Sequence, residues 1–276
     1  MKYKIIGDSC CDFTNEELKN GNVVSVPMSI IIGGVEYPDD NKRTQTDWIS
    51  LIKNDDGYPQ SACPSPDAFY QAFDPDCVNF VVTLSSKLSG VYNSAMAAKS
   101  MFEEDFEDVK IHVFDSLSAA AGQHLIYEKI TELAEEGLDY EEIVDKVEDY
   151  RDSLTTIFVL DDLETFKRNG RLRGIKALVA TTMNVKPVLI GDEGDIKPIS
   201  QGIGMSHAVN RMLYHIESSK PDISRRVRIT QCDSRKLCSK VARVMSERFG
   251  FGDVEILDAH GLSTSYECPG GIIVAY

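Results

Sequence analysis

Short apolar runs rich in β-branched residues recur along the chain, several followed by a polar turn and then a stretch of helix formers. Residues 4–7, 78–82 and 110–114 predict three strands of this kind. Each ends in a turn that carries serine: Ser9 after the first, Ser85, Ser86 and Ser89 after the second, Ser116 and Ser118 after the third. In an open α/β sheet such turns gather at the carboxyl ends of the strands, where ligands bind. The three turns are therefore expected to form one polar ledge. The second is the clearest. Ser89 is a candidate N-cap, Gly90 allows another group close to the backbone, and residues 95–101 supply a helix. Free N–H groups at the start of that helix, beside hydroxyls, suit a carboxylate or a phosphate. Serines that only cap the helix are the alternative.

Elsewhere the pattern is equally regular. Thr14 and Glu17 predict a capping box at the start of a helix. Residues 22–32 form one extended stretch, Gly33-Gly34 a hairpin turn and residues 35–37 a return strand. A helix over 46–52 stops at Asp55-Asp56-Gly57, and Ser61-Ala62-Cys63-Pro64-Ser65-Pro66 predicts a stiff loop before a helix over 67–73. A helix passes through Gly122, Gln123 and Ile126, and an acidic helix over 140–150 has Ile143, Val144 and Val147 as its apolar stripe.

The composition changes near residue 153. Strands are predicted at 154–160, 184–190, 196–199, 227–230, 254–257 and 271–275, with a hairpin turn at 192–195. Helices are predicted from Asp161–Glu164 to a stop at Gly170, then over 205–215 and 239–249. Hairpin strands followed by helices indicate a second α/β domain with a mixed sheet, so the expected division is 1–153 and 154–276.

Composition narrows the function. A chain of 276 residues has room for two modest cores, and 42% hydrophobic with 26% charged residues is ordinary for a globular protein. A net charge of −15, from 44 acidic and 29 basic residues, opposes binding to nucleic acid or an anionic membrane. The seven cysteines show no C-x-x-C pair and no zinc-site spacing with histidine, so reduced thiols and a cytoplasmic location are expected. The first residues run directly into a strand, which predicts no signal peptide, and no apolar run approaches the ~20 residues of a membrane span. Gly202-Ile203-Gly204 is followed by no third glycine of a dinucleotide fingerprint, and neither a Walker A lysine motif nor a G-x-S-x-G elbow occurs. Of the five histidines, His260 beside Gly261 is the candidate for a site, and the others are expected to be structural. Lys167, Arg168, Arg171, Arg173 and Lys176 stand out against the acidic background, either as a helix end favoured by the dipole or as an anchor for an anionic ligand or acidic partner.

Several of these blocks, in this order, resemble the DegV family of bacterial fatty-acid-binding proteins. They are Asp8-Ser9 with Asp12, the Ser61–Pro66 loop, Ser85-Ser86-Lys87-Leu88-Ser89-Gly90 with Tyr92, and Asp115-Ser116. Phe158-Val159-Leu160-Asp161-Asp162-Leu163-Glu164 with Gly170-Arg171, Asn184-Val185-Lys186-Pro187 and Pro269-Gly270 complete the set. The resemblance implies an N-terminal three-layer α/β/α domain with a parallel sheet, a C-terminal two-layer α/β domain with a mixed sheet, and one long-chain fatty acid in a tunnel between them. It implies a carrier without catalysis or cofactor, which presents the carboxylate to a separate kinase. The carboxylate-binding candidates are then Ser61, Ser89 and Gly90. Where many members carry a histidine before the terminal G-P-G turn this chain has Tyr266, and Gln201-Gly202-Ile203-Gly204 stands where they carry an arginine. A tyrosine hydroxyl also donates to a carboxylate, which adds Tyr266 to the set.

Ser9, Ser85, Ser86, Ser116 and Ile203 are expected near the ligand, and Arg168, Arg171 and Arg173 on a partner surface. Burying a ~16-carbon chain contributes roughly 11–13 kcal/mol before ordering costs, so the tail can supply the affinity and a few hydrogen bonds the recognition. The competing expectations are a hydrolase or phosphotransferase that uses the serine ledge, and a sensor for another amphiphile.

Overall fold

The computed structural model describes residues 2–55, 57–172 and 184–276. The first unit begins with β1 (Tyr3–Asp8), a 3₁₀ turn over Ser9–Cys11, α1 (Asn15–Lys19), β2 (Val23–Val26), β3 (Ser29–Ile32) and β4 (Val35–Pro38). It continues through α2 (Gln45–Lys53), β5 (Gln60–Ala62), α3 (Pro66–Tyr70), β6 (Val78–Thr83) and α4 (Val91–Asp105). β7 (Ile111–Asp115), α5 (Ala121–Glu135) and α6 (Tyr140–Asp152) complete it. Strands β2-β1-β6-β7 form an all-parallel sheet. Such a sheet needs both faces covered, and its strands are apolar on both. Ile6, Val81 and Val113 pack under Phe69, Ala95 and Phe102 from α3 and α4, while Ile5, Phe80 and Phe114 pack under Ile126, Ile130 and Val147 from α5 and α6. The result is the expected three-layer arrangement.

The second unit contains β8 (Thr156–Val159), α7 (Glu164–Arg168), β9 (Val185–Asp192), β10 (Asp195–Ile203), α8 (Met205–Ser219) and β11 (Arg226–Gln231). After these come α9 (Arg235–Arg243), extended by a π-helical turn, then β12 (Asp253–Asp258), α10 (Gly261–Glu267) and β13 (Ile272–Ala275). Its mixed sheet runs β10-β9-β8-β13-β11-β12, with β11 and β12 parallel and the other pairs antiparallel. α8 and α9 cover one face, where Ile157, Val159, Ile229 and Val274 meet Val209, Met212 and Val241. The opposite face carries Phe158, Leu160, Leu189 and Ile196 and looks toward the first unit. Alternation along β8 assigns these residues to the two sides. Among the described residues no helix is long and apolar enough to cross a membrane.

Four local features depart from the sequence-based expectations. The stretch 22–32 is two strands in different sheets, because the chain leaves the parallel sheet at Pro27 and pairs β3 with β4 and β5. The loop from Ser61 to Pro66 begins as β5, where Ser61 pairs with Ile30; prolines occur only from position 64, so the earlier amides are free for a ladder. Pro66 opens α3 at its first turn, capped by Ser65. Ser89 is not the N-cap of α4. Gly90 takes that place, because Ser85 already accepts from the Leu88 and Ser89 amides in a preceding turn. The short helix α10 has no counterpart among the predicted elements.

The glycines of the Gly202-Ile203-Gly204 segment have structural roles. A Cβ at Gly202 would lie 2.3 Å from the Ala208 backbone nitrogen, so β10 approaches the first turn of α8 only because that atom is missing. Gly202→Ala is expected to destabilise the fold by about 1–3 kcal/mol through overpacking, read as a lower urea midpoint.

Candidate functional site

The uncovered face of the mixed sheet and the βα turns of the parallel sheet border a narrow apolar cavity. Phe158, Leu160, Ile196 and Ile273 line it from the sheet, and Leu84, Leu88 and Leu117 from the turns. Met28 and the α10 residue Leu262 close one side. Polar groups on the wall are few: Ser61, Ser89, Ser118, Thr156, Arg171, Asp195, Ser263, Tyr266 and Glu267. Ser118 and Thr156 satisfy each other across the two units, with their hydroxyl oxygens 2.7 Å apart.

Two of the polar groups meet directly, and a third is held at the neighbouring turn. Pairing of β5 with β3 fixes Ser61, whose Oγ lies 3.1 Å from the Tyr266 hydroxyl on α10. The Tyr266 ring stands edge-on to Phe166, with centroids 4.9 Å apart. Arg171 donates from Nε to the Leu88 carbonyl at 3.3 Å and from Nη1 to the Asn169 carbonyl at 2.7 Å. Its guanidinium is thereby held beside the turn that contains Ser89 and Gly90. α4 starts at that turn without a side-chain cap, which leaves its first amides and the positive end of its dipole facing this region. Two hydroxyls, a guanidinium and the first amides of α4 lie at or beside the wall of this apolar slot, and donors of these kinds suit a carboxylate or a phosphate.

α10 owes its position to carboxylates of the first unit. Asp39 accepts from the Gly261 and Leu262 amides, both at 2.9 Å, and Asp12 accepts from the His260 amide at 2.8 Å and the Ser263 hydroxyl at 2.7 Å. Asp8 accepts from the Cys10 and Leu84 amides. Burial pushes the pKa of Asp8 and of Asp12 up to about 6 despite these bonds, and raises that of Asp39. Among the described residues, no group of three or more His, Cys, Asp or Glu is arranged to hold a metal ion.

The structure sorts the residues singled out in the sequence. Ser61, Ser89 and Tyr266 lie on the wall, and Gly90 follows directly after it. Ser9 does not reach the wall, since its hydroxyl accepts from the Met28 amide. Ser85 is also withheld: its hydroxyl donates to the Gly194 carbonyl at 2.8 Å and so ties the two units together. Ser86 gives its amide to Asp115, and the Ser116 hydroxyl serves the Ser118 backbone beside a separate recess with Arg151. Ile203 is 72% exposed and away from the cavity. Arg168 lies exposed over the Tyr58 ring at 4.2 Å, whereas Arg171 lies on the cavity wall. Arg173 and Lys176 lie outside the described residues. His260 contributes its amide to Asp12 and takes no part in the wall.

Ser118 belonged to the expected serine ledge, but Thr156, Ser263 and Glu267 were not among the sequence candidates. Alternation along β8 could have pointed to Thr156, but Ser263 and Glu267 depend on α10, which carries no local signal of its own.

Over residues 2–275 the chain matches the family described as "Uncharacterised protein, DegV family". A DegV domain-containing protein of Streptococcus pneumoniae is 32% identical over 279 residues, covering 100% of this chain and 99% of that protein. A crystal structure of a DegV-family protein from Ruminococcus gnavus with vaccenic acid superposes with a TM-score of 0.95, at 35% identity and 99% coverage of each chain. The Streptococcus pneumoniae Fatty Acid Kinase (Fak) B3 protein loaded with linoleic acid superposes with a TM-score of 0.92, at 30% identity, covering 100% of this chain and 99% of that one.

The raised carboxyl pKa values set an acid-side stability profile. Asp8 and Asp12 bind protons more tightly in the fold than in the unfolded chain, so their stabilising contribution is full below about pH 4 and lost as the pH rises through about 6. His124 acts in the same sense: burial lowers its pKa, but contact with Glu17 at 3.2 Å and the charge of Glu128 outweigh this and raise it. His112, whose pKa burial lowers, opposes them. The urea midpoint is expected to rise on going from pH 7 to pH 5, and Asp12→Asn to make that slope shallower. An unchanged slope would refute the assignment.

Proposed function

The chain belongs to the DegV family, and from that premise we propose that it is a cytoplasmic carrier of one long-chain fatty acid. The acid lies between an N-terminal domain (1–153) and a C-terminal domain (154–276). Its tail runs along Phe158, Leu160, Ile196 and Ile273, and its carboxylate meets Ser61, Ser89, the Gly90 turn and Tyr266, with Arg171 as the cationic group. A separate kinase phosphorylates the presented carboxylate, and Arg168 belongs to the surface it meets. The observation that carries this reading is the pairing of an apolar slot with a compact polar rim, where the Ser61 and Tyr266 hydroxyls stand 3.1 Å apart. The fatty acids held by the Ruminococcus gnavus and Streptococcus pneumoniae relatives support it.

The rim suits an acid better than a neutral lipid. A carboxylate removed from water costs several kcal/mol unless donors replace its hydration. Hydroxyls, amides and a guanidinium are donors of this kind, and bonds to a charged acceptor are the stronger ones.

Denaturing the purified protein and extracting it for mass spectrometry is expected to release a long-chain fatty acid, unaltered and stoichiometric with the chain. Recovery of none, together with no thermal shift on adding oleate or palmitate, would defeat the reading. Tyr266→Phe is expected to weaken binding about 5- to 10-fold, the size of one hydrogen bond of about 1 kcal/mol, and to leave the unliganded melting temperature nearly unchanged.

A further inference from the structure

Glu267 ends α10, is 1% exposed and forms part of the cavity wall. Neither of its carboxyl oxygens has a hydrogen-bond partner among the described residues. The Cys232 amide faces it without reaching bonding geometry. The other buried acids differ: Asp8, Asp12 and Asp39 each accept two bonds. Ser263, one turn earlier on the same helix, donates its hydroxyl to Asp12 and makes no bond with Glu267. Burial raises the pKa of Glu267 well above the usual carboxylate range, and an unpaired buried charge would be far costlier than an unpaired acid. The group therefore presents an O–H donor and a carbonyl acceptor, with both left open by the protein.

We propose that Glu267 recognises an oxygen substituent on the ligand, and that the preferred ligand is a long-chain fatty acid hydroxylated near its carboxyl end, as in a 3-hydroxy acid. This inference rests on the reading of the cavity as a fatty-acid site. The position along the ligand follows from the neighbouring residue: Tyr266 meets Ser61 at the rim, so Glu267 adjoins the carboxyl end rather than the tail. The substituent follows from matching donors and acceptors. A hydroxyl supplies a donor and acceptors and can satisfy both halves of the carboxyl group, a keto oxygen satisfies only its O–H, and a methylene satisfies neither. Sites built to bond a ligand hydroxyl reject the analogue that lacks it, because the buried partner is then left unpaired.

Titration calorimetry with hexadecanoate and 3-hydroxyhexadecanoate tests this on the delipidated full chain. The wild type is expected to bind the hydroxy acid about tenfold more tightly, the size of a well-made hydrogen bond in a dry site. Glu267→Met, close in volume and apolar, is expected to erase the preference while retaining hexadecanoate binding. Glu267→Gln, which keeps a donor and an acceptor, is expected to preserve part of it and serves if the methionine variant does not fold. Equal affinities in the wild type, as a bridging water on Glu267 would produce, overturn the inference and leave the fatty-acid reading standing. A preference that survives Glu267→Met also overturns it. If neither acid binds, the fatty-acid reading itself falls, and this one with it.

Discussion

The site depends on carboxylates that reach across the molecule to hold a helix they are remote from in sequence. Asp39 meets the first amides of α10 from 222 and 223 positions away, and Asp12 meets the residues around them from 248 and 251 positions away. A helix of seven residues has no stability of its own, since nucleation costs more than so few bonds return. Its existence is a tertiary event. Once capped, α10 brings Leu262, Ser263, Tyr266 and Glu267 to the cavity together. The polar rim, the closure of one side and the open carboxyl group thus all follow from the same contacts. Those contacts are made in a dry place, which is why the acids that make them hold their protons more firmly than acids in water.

The cavity itself follows from asymmetry in how the two sheets are covered. The parallel sheet has helices on both faces. The mixed sheet has α8 and α9 on one face only, and its other apolar face must be hidden by something else. Turns of the first unit hide part of it, and what they leave is a slot walled by aliphatic and aromatic side chains. Polar contacts around this junction are spread out rather than clustered. Gln45 donates to the Gln231 and Ala259 carbonyls, Asn169 to the Pro59 carbonyl and Ser85 to the Gly194 carbonyl.

Local chemistry was legible in the sequence where it was self-contained. Thr14 and Glu17 cap each other as their spacing predicts, and the turn ahead of Asp195 takes positive φ at Glu193 and Gly194, as a tight hairpin requires. The strand–turn–helix order and the resemblance carried by the Ser85–Gly90 and Phe158–Glu164 blocks led to the right fold, and Ser61, Ser89 and Tyr266, which the resemblance singled out, line the cavity. The serine ledge was over-read. Short hydroxyl side chains bond their own surroundings first, and those of Ser9, Ser85 and Ser116 are consumed that way. That Arg171 lines the cavity was not legible, because a run of basic residues does not say which one turns inward. Glu267 was invisible, since neither its helix nor its burial has a signal within the neighbouring residues.

Helix α5 has a further consequence. Ile126 and Ile130 belong to the core under the parallel sheet, while Ala121 and Leu125 on the same helix pack against Ala275 and Ile273 of the mixed sheet. Arg228 of β11 adds an ion pair to Glu128 at 2.7 Å. One helix therefore serves as wall to both sheets, and α10 crosses in the other direction. A cut between residues 153 and 154 follows the strands but severs this shared masonry, leaving each fragment with a bare greasy face. The two halves are separate in topology and joint in cohesion, so neither is expected to melt without the other.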